Sequence, residues 1–304
     1  MSPAERWSIG ELAEFAGVTV KTVRFYSDRG LLPEAGRSSG GHRRYGPEAL
    51  DRLRMIRSLR SLDLPVPEVG RVLEREDLLE DAIDAQLREL SSQLSALRWR
   101  EAALRLLQDS SAQDRADRLR IVGAVPSPPN TDSLARFWRR LLPLRLPAPL
   151  VSAILEAAVP QPPAAPTPAQ VLAFARLHAL ATDPRVAFCR PDTRNAAECG
   201  RPAVLYEGLG EAYGLAAVEL RAGRSPAAGD ALDCFVAAHA SARGLRDTPA
   251  FRRRLGGLLA ETADPVTGRY WELAGELSDP REPTMGAAHA WLSTALAAHP
   301  TAPH

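Results

Sequence analysis

Basic side chains are concentrated in one short segment of this 304-residue chain. Between residues 19 and 60 there are ten lysines and arginines and only four acids, whereas the whole chain has a net charge of +1. A local excess of six positive charges on a nearly neutral protein is typical of a module that binds the phosphates of a nucleic acid. Charge alone leaves a second interpretation open, that of a solvated charged face without a partner.

Two short helices are predicted around the start of this segment. Ser8 and Glu11 have the spacing of a capping box, and Gly17 ends the helix that they begin. Thr19 caps a second helix, in which Val20 is expected to face inward. Two helices joined by a tight turn with a glycine make a helix-turn-helix. The exposed side chains of the second helix suit phosphates and base edges: Thr19, Lys21, Thr22, Arg24 and, near its end, Tyr26.

A small β-hairpin, or wing, is predicted after the second helix. The run Ser38-Ser39-Gly40-Gly41 is a turn signal. A wing beside the helix would give the module a second hold on the nucleic-acid backbone. Its flanks carry the further candidates Arg37, His42, Arg43, Arg44 and Tyr45. For both tyrosines, packing beneath the wing is the alternative to phosphate contact.

A long helix is predicted over residues 76–107, after two shorter helices that begin at Pro47 and near Pro65. Apolar residues recur along it at spacings of three and four, interrupted by Glu101. This heptad pattern predicts a coiled coil between two chains. An amphipathic helix packed on its own domain is the alternative. The predicted dimerisation residues are Ile83, Leu87, Leu90, Leu94, Leu97 and Leu104.

The rest of the chain has the pattern of an all-helical domain. Residues 111–130, with their cluster of prolines, are interpreted as a linker. Helix starts are expected at residues 131, 148, 167, 203, 226, 248, 267 and 284. The fold class is therefore mainly α, with a winged helix-turn-helix at 1–75, a long coiled-coil dimerisation helix at 76–110, and an all-helical C-terminal domain at 131–304.

The segment from Trp7 to about Leu107 resembles the DNA-binding part of the MerR family of transcriptional regulators. The likeness rests on the VRFYSDRGLL core, the GGHRRY wing, and the order of four helices followed by a long one. It covers about a third of the chain. The C-terminal domain resembles no particular ligand-binding family.

The resemblance implies a homodimer, joined by an antiparallel coiled coil, that binds a pseudo-palindromic operator on double-stranded DNA. It also implies that the bound protein bends and untwists the promoter spacer, so that RNA polymerase meets both promoter elements. By family position, Thr19, Lys21 and Arg24 belong to the recognition helix. Phe25 and His42 stand where the family often has tyrosine.

The sensing chemistry of the C-terminal domain is less determined. Metal-sensing relatives place cysteines near the end of the dimer helix, but no cysteine or histidine lies between residues 76 and 130. Cys189 and Cys199 are too far apart for a usual zinc pair, Cys234 is remote, and the role of all three stays open. The Asp-x-His-x-x-Gly signature of cobalamin-binding relatives is also missing. We therefore expect no metal and no cofactor.

Aromatic residues with a few polar groups favour a pocket for a small hydrophobic ligand in this domain. Each aromatic residue taken alone is more often simply part of a core. Three glycines in YEGLGEAYGL would leave room for a ligand or for a close helix crossing. The candidate ligand-binding residues are Trp138, Phe174, His178, Tyr206, Glu207, Glu211, Tyr213, Phe235, His239 and Trp271.

Other classes of function are disfavoured by what the sequence lacks. No phosphate-binding loop, nucleophile elbow or His-Glu metal motif is present, so no catalytic residues and no enzyme activity are expected. No apolar run is long enough for a membrane span and no signal peptide is seen, so we expect a cytoplasmic protein. The remaining alternative is a ligand-independent DNA-binding regulator whose C-terminal domain binds a protein partner.

Overall fold

The computed structural model of the chain describes residues 6–127, 129–187, 200–279 and 281–299. The chain divides into two compact units, Met1–Ser92 and Gln93–His304. Both units are built mainly of helices, as the sequence predicts. No helix of the described residues is both long and apolar enough to cross a membrane.

The first unit is a helix-turn-helix followed by a hairpin and two further helices. Its core is formed by side chains from every helix of the unit, among them Leu12, Val23, Leu53 and Val69. The elements in chain order are α1 (Ile9–Ala16), α2 (Val20–Asp28), β1 (Gly36–Arg37), β2 (Arg43–Arg44), α3 (Pro47–Ser61), α4 (Val66–Glu74) and a 3₁₀ turn (Glu76–Leu78).

The turn between α1 and α2 follows from local chemistry. The Ser8 and Glu11 side chains each accept a hydrogen bond from the other's backbone N–H, which closes the predicted capping box. Gly17 ends α1 with a positive φ of 61°, a conformation that glycine adopts without strain. The Thr19 hydroxyl then accepts a hydrogen bond from the N–H of Thr22 and caps α2. The chain thus reverses within three residues and packs α2 against α1.

Helix α5 (Leu79–Gln108) is the longest element and begins in the first unit. Near its start Ala82 belongs to the core of the first unit. Further along, Trp99, Ala102, Ala103 and Leu106 belong to a core of the second unit. The same helix therefore contributes side chains to a core in each unit.

The second unit is all-helical in its described residues. One hydrophobic cluster is centred on Phe174 and Tyr270 and another on Phe235 and Trp291. Its helices are α6 (Ala112–Gly123), α7 (Asp132–Leu141), α8 (Ala148–Ala158), α9 (Pro168–Thr182), α10 (Pro184–Ala187), α11 (Pro202–Arg221), α12 (Asp230–Arg243), α13 (Pro249–Glu261), α14 (Pro265–Leu277) and α15 (Met285–Ala298).

Residues 111–130 differ from the predicted linker, because α6 occupies most of them. Ser111 caps this helix by accepting a hydrogen bond from the N–H of Asp114. Ile121 and Val122 in its last turns pack against the cluster around Phe174. The polar composition of the rest of α6 conceals this helix in the sequence. The helix expected near residue 226 begins later, at Asp230.

A buried arginine and a glycine contact join neighbouring helices of the second unit. The Arg252 side chain, 1% exposed, donates hydrogen bonds to both carboxylate oxygens of Asp247 and to Asp233 on α12. On α11, a Cβ at Gly208 would lie 2.6 Å from the Cβ of Ala238 on α12. Gly208 therefore permits the close helix crossing that was one of the two expectations for this glycine-rich stretch.

Candidate nucleic-acid interface and ligand cleft

The first turns of α2 present two cations without internal partners. The Lys21 and Arg24 side chains are exposed, and neither forms a hydrogen bond or ion pair with another described residue. Thr19 is exposed and Thr22 is half-buried, and their hydroxyl oxygens lie 2.9 Å apart. Cations that are free of internal carboxylates are available to neutralise phosphates.

Val20 lies on this surface and not in the core, with 40% of its side chain exposed. It was expected to face inward with Val23, which is fully buried. The buried side chains of α2 are those of Val23, Tyr26 and Ser27, and Val20 lies at the margin of that face, about 60° around the helix from Val23. The outer face of α2 is therefore partly apolar as well as cationic.

The hairpin is held to α2 through Arg43. Its guanidinium donates hydrogen bonds to Ser27 at 3.0 Å and to Asp28 at 2.5 Å, and its Nε lies 2.7 Å from Glu34. The hydrogen bond to Asp28 raises the pKa of Arg43. Arg37 also pairs with Glu34, at 3.3 Å. Two of the predicted contact arginines therefore already have carboxylate partners within the domain.

Arg44 and His42 complete the hairpin candidates. Arg44 is half-buried on β2, and its side chain forms no hydrogen bond or ion pair with another described residue. His42 is exposed, and its backbone N–H donates to the Ser38 hydroxyl at 3.2 Å, which closes the turn. The side chains of Arg44 and His42 are therefore available to contact a nucleic-acid backbone at the hairpin.

The two tyrosines that were predicted to contact DNA are buried. Tyr45 is fully buried, and its hydroxyl oxygen lies 2.8 Å from the Ser27 hydroxyl. Tyr26 is 9% exposed, with its ring 5.2 Å from that of Phe25. Because neither ring is open to solvent, the structure favours packing beneath the wing as the role of both tyrosines.

Other cations of the basic segment stabilise the domain. Arg52 donates to the carbonyl of Leu31 at 2.9 Å, and Arg57 donates to the carbonyl of Ala16 at the end of α1. Arg60 donates to a backbone carbonyl just beyond α3. The charge excess seen in the sequence therefore serves two roles, and only part of it is free for a nucleic acid.

The predicted dimerisation residues form an exposed apolar stripe along α5. Their exposed fractions run from 38% for Ile83 to 67% for Leu104. The residues that α5 packs into cores, such as Ala82 and Trp99, are different ones. Packing into these cores therefore does not account for the stripe, which stays exposed to solvent.

The second unit contains a cleft of about 1600 Å³ between its helices. Its walls come from α7, α11, α13, α14 and α15 and from the turn after α7. Most of the lining is apolar. The aromatic and polar lining residues include Trp138, Tyr206, Asp264, Trp271, Glu272, His289 and Ser293.

One wall of the cleft is an aromatic cluster. The rings of Trp138 and Trp271 lie 5.1 Å apart, and each is also in edge contact with Tyr270. Behind them, Tyr270 stacks on Phe137 and donates a hydrogen bond to a backbone carbonyl at the end of α8. A Cβ at Gly286 would lie 2.0 Å from Cγ of Trp271. Glycine at this position therefore lets the indole lie against the start of α15.

His289, in another part of the lining, is paired with the tyrosine Tyr213. Nδ1 of His289 lies 3.0 Å from the hydroxyl of Tyr213. Burial lowers the pKa of His289 and raises the pKa of Tyr213, so both groups are neutral at pH 7. The ring of Phe235 contacts both His289 and His239, and the pKa of His239 is lowered to about 3 by burial and by the nearby Arg243.

The structure brings only some of the predicted ligand residues to the cleft. Trp138, Tyr206 and Trp271 line it. The others do not: Phe174, Phe235, His178 and His239 are buried in the two cores, Glu207 and Glu211 are exposed on α11, and Tyr213 contacts the lining residue His289.

The sequence reasoning missed Asp264, Glu272 and His289. Asp264 caps α14 by accepting hydrogen bonds from the N–H groups of Val266 and Thr267. The Asp-Pro signal at this position predicts a helix start, but nothing in a single sequence shows that this helix end faces a cleft.

The cysteines contribute no recognisable site. The thiol of Cys234 is half-buried 3.8 Å from the carbonyl of Gly208, and burial raises the pKa of the thiol. Cys189 and Cys199 lie outside the described residues. Among the residues that are described, no group of three or more histidine, cysteine or acidic side chains is placed to hold a metal ion.

The first unit has the architecture of a winged helix-turn-helix. Residues 7–76 match the family model described as MerR HTH family regulatory protein. The chain therefore carries a MerR-family helix-turn-helix domain at its N-terminus.

Two transcription-related relatives each match part of the chain. The nodulation protein NolA of Bradyrhizobium diazoefficiens is 38% identical over 115 residues, which is 38% of this chain and 48% of the relative. The HTH-type transcriptional activator TipA of Streptomyces coelicolor is 48% identical over 68 residues, 22% of this chain and 27% of the relative. The matched region thus spans about half of NolA and less of TipA.

A solved structure of similar sequence is the transcription regulator PbrR691 from Ralstonia metallidurans CH34 in complex with lead(II). It is 32% identical, with a TM-score of 0.31, and the match covers 36% of this chain and 93% of that chain.

Proposed function

We propose that this protein is a DNA-binding transcriptional regulator that acts as a homodimer. In this proposal the two helix-turn-helix domains bind a pseudo-palindromic promoter operator and distort the spacer DNA, which changes how RNA polymerase meets the promoter. A small organic ligand in the C-terminal helical unit modulates this binding.

The main evidence for the proposal is that the cationic side chains of α2 have no internal partners. Lys21 and Arg24 project from the exposed face of the second helix of a MerR-family domain, and no described carboxylate pairs with them. The second helix of a helix-turn-helix is the element that enters the major groove, where such side chains meet phosphates and base edges. Arg44 on the hairpin adds a cation beside that helix.

The apolar stripe of α5 supports the homodimer. An exposed heptad stripe of leucines costs hydration free energy unless a second helix covers it. An identical helix from a second copy is the natural partner, because the stripe is periodic and self-complementary. A dimer would present two recognition helices to two half-sites.

The cleft supports the ligand. Its aromatic wall and few polar groups have the character of a site for an organic compound. The names of the relatives do not identify that compound for this chain, since the matches cover only 38% and 22% of it.

The test is the salt dependence of binding to the duplex upstream of the protein's own gene. We expect tight binding that weakens steeply with salt, because phosphate contacts release counterions. A scrambled duplex of the same length should bind more weakly. Equal affinity for both duplexes at every salt concentration, or no binding to either, would contradict the proposal.

A further inference from the structure

The residues that line the cleft in the second unit indicate the chemical class of its ligand. We infer that this ligand is an apolar organic cation, which stacks on Trp138 and Trp271 and whose charge is opposed by Asp264 and Glu272. The inference takes from the proposed function only the existence of a regulatory ligand. Its chemical class follows from the size, the aromatic wall and the charge of the cleft.

The size and wall of the cleft suit a bulky aromatic or alkyl compound. Its volume of about 1600 Å³ is above the usual range for drug-sized ligands. The Trp138 and Trp271 indoles lie 5.1 Å apart at 46°, so that a ligand can contact both rings. Indole faces attract cations more strongly than other aromatic side chains do.

The charge of the lining is negative. Among its described residues, Asp264 and Glu272 are carboxylates, and there is no lysine or arginine. His289 adds no positive charge at pH 7, because burial lowers its pKa. An anion entering this cleft would meet two like charges, whereas a cation would meet two opposite ones.

Helix N-termini also reach the cleft, and they attract anions. Two of them already have side-chain caps: the Asp264 carboxylate accepts from the first N–H groups of α14, and the Thr284 hydroxyl accepts from Ala287 on α15. The third, α11, has no side-chain cap, and Pro202 removes only one N–H group from its first turn. Asp264 and Glu272 carry full negative charges, whereas one uncapped helix N-terminus is equivalent to only about half a positive charge, so the carboxylates outweigh it.

Glu272 has a partner that a ligand can replace. Arg269 lies 2.6 Å from it, but the two side chains are 47% and 64% exposed. Exposed pairs of this kind contribute little to stability, so exchanging Arg269 for a bound cation costs little.

The chain offers its own control for this charge effect. Glu207 and Glu211 on α11 are exposed and do not line the cleft. Replacing both with glutamine removes two negative charges, as many as neutralising Asp264 and Glu272 does. These charges, however, lie away from the aromatic wall.

The experiment compares tetraphenylphosphonium with tetraphenylborate, which have nearly the same shape and opposite charge. Binding to the full chain is measured by calorimetry in sodium buffer at fixed ionic strength. We expect the phosphonium to bind at least about tenfold more tightly than the borate, which corresponds to 1.4 kcal/mol. The D264N/E272Q variant should lose about tenfold of the phosphonium affinity. Asparagine keeps the helix cap, so the variant retains its fold.

Three results would overturn the inference: equal binding of both probes, no binding of either, or an equal loss of phosphonium affinity in the E207Q/E211Q variant. Operator affinity is measured in parallel with and without the phosphonium. If the probe binds as expected but leaves operator affinity unchanged, the inferred ligand class stands and the proposed regulation by ligand is wrong.

Discussion

The arginines of the N-terminal domain differ in whether they have an internal partner, and this difference predicts their effect on DNA binding. Arg24 has no described partner, so Arg24→Ala should leave the melting temperature nearly unchanged. Arg24→Ala should also make the plot of log affinity against log salt concentration shallower by about one unit of slope, as expected for one lost phosphate contact. Operator titrations over a series of salt concentrations measure this slope.

Arg43→Ala should behave differently from Arg24→Ala. Arg43 joins Asp28 and Glu34, so its loss should loosen the hairpin and lower the melting temperature.

For the Arg24 prediction, Arg54 on α3, which pairs with the neighbouring Asp51, provides a control for losing a surface charge. If Arg54→Ala flattened the salt dependence as much as Arg24→Ala does, α2 would not be the recognition helix.

Gly286 is predicted to be essential for the shape of the aromatic wall. A methyl group at this position would overlap the Trp271 side chain, so Gly286→Ala should destabilise the second unit by about 1–3 kcal/mol, the usual cost of overpacking. A Cβ at Gly214 on α11 would meet no atom within 4 Å, so Gly214→Ala should instead stabilise by up to about 1 kcal/mol. Urea unfolding followed by tryptophan fluorescence measures both. Equal effects of the two substitutions would contradict the tight contact.

His239 should make the second unit sensitive to acid. In the unfolded chain its imidazole takes up a proton near its ordinary pKa of 6.5, whereas in the folded chain it stays neutral down to about pH 3. Between these values the unfolded state binds one more proton, so the free energy of unfolding falls by about 1.4 kcal/mol for each pH unit of acidification. Above pH 6.5 this contribution is fully present.

The measurement is urea unfolding between about pH 7 and pH 4, which lies inside the window set by the two pKa values. Four of the five tryptophans lie in the second unit, so fluorescence reports mainly on it. His239→Leu should make the pH dependence shallower, although the buried His289, whose pKa is also lowered, keeps part of it. His42→Gln on the exposed hairpin should leave it as steep as in the wild type. An unchanged pH dependence in His239→Leu would mean that other groups carry it.

At the scale of elements, α5 has the two-sided character that a dimer helix requires. One face packs into cores, while the other exposes the leucine stripe. Leu90→Asp with Leu94→Asp places two charges in the middle of that stripe and should convert dimers to monomers in analytical ultracentrifugation.

A control for the dimer test adds the same charges elsewhere on α5. Ala85 and Ser92 are exposed and lie about 160° around the helix from Ile83 and Leu90 respectively. Ala85→Asp with Ser92→Asp should therefore leave the dimer intact. Dimers that survive the leucine double substitution would place the interface on another surface.

Helix starts in this chain can be predicted well because they depend on local signals. Thr167 and Thr284 cap helices close to where the sequence predicts them. The cleft could not be predicted in the same way, since Asp264 and His289 meet there only through the packing of distant helices. Phe174 and Phe235 illustrate the same limit, because aromatic residues of a core and of a binding wall look alike in the sequence.

At the scale of the whole molecule, the wall of the cleft and the long helix share one hydrophobic cluster. Trp99 on α5 packs edge-on against Phe174, and both belong to the cluster that includes Tyr270. Trp138 and Trp271, which face the cleft, pack against the same cluster. We therefore expect a ligand that moves the two indoles to change the packing of α5, the helix proposed to join the dimer. Close-packed cores transmit such shifts.

This connection predicts that Trp99 couples ligand binding to DNA binding. Coupling between two sites is reciprocal, so operator DNA should change the affinity of the wild-type chain for tetraphenylphosphonium. In Trp99→Leu the probe should still bind, but its affinity should be the same with and without operator. Trp291→Leu is a matched control, since Trp291 is also buried but belongs to the other cluster of the unit. It should lose stability and keep the coupling. If the Trp99 variant kept the coupling and the Trp291 variant lost it, the signal would travel through the cluster around Phe235 instead.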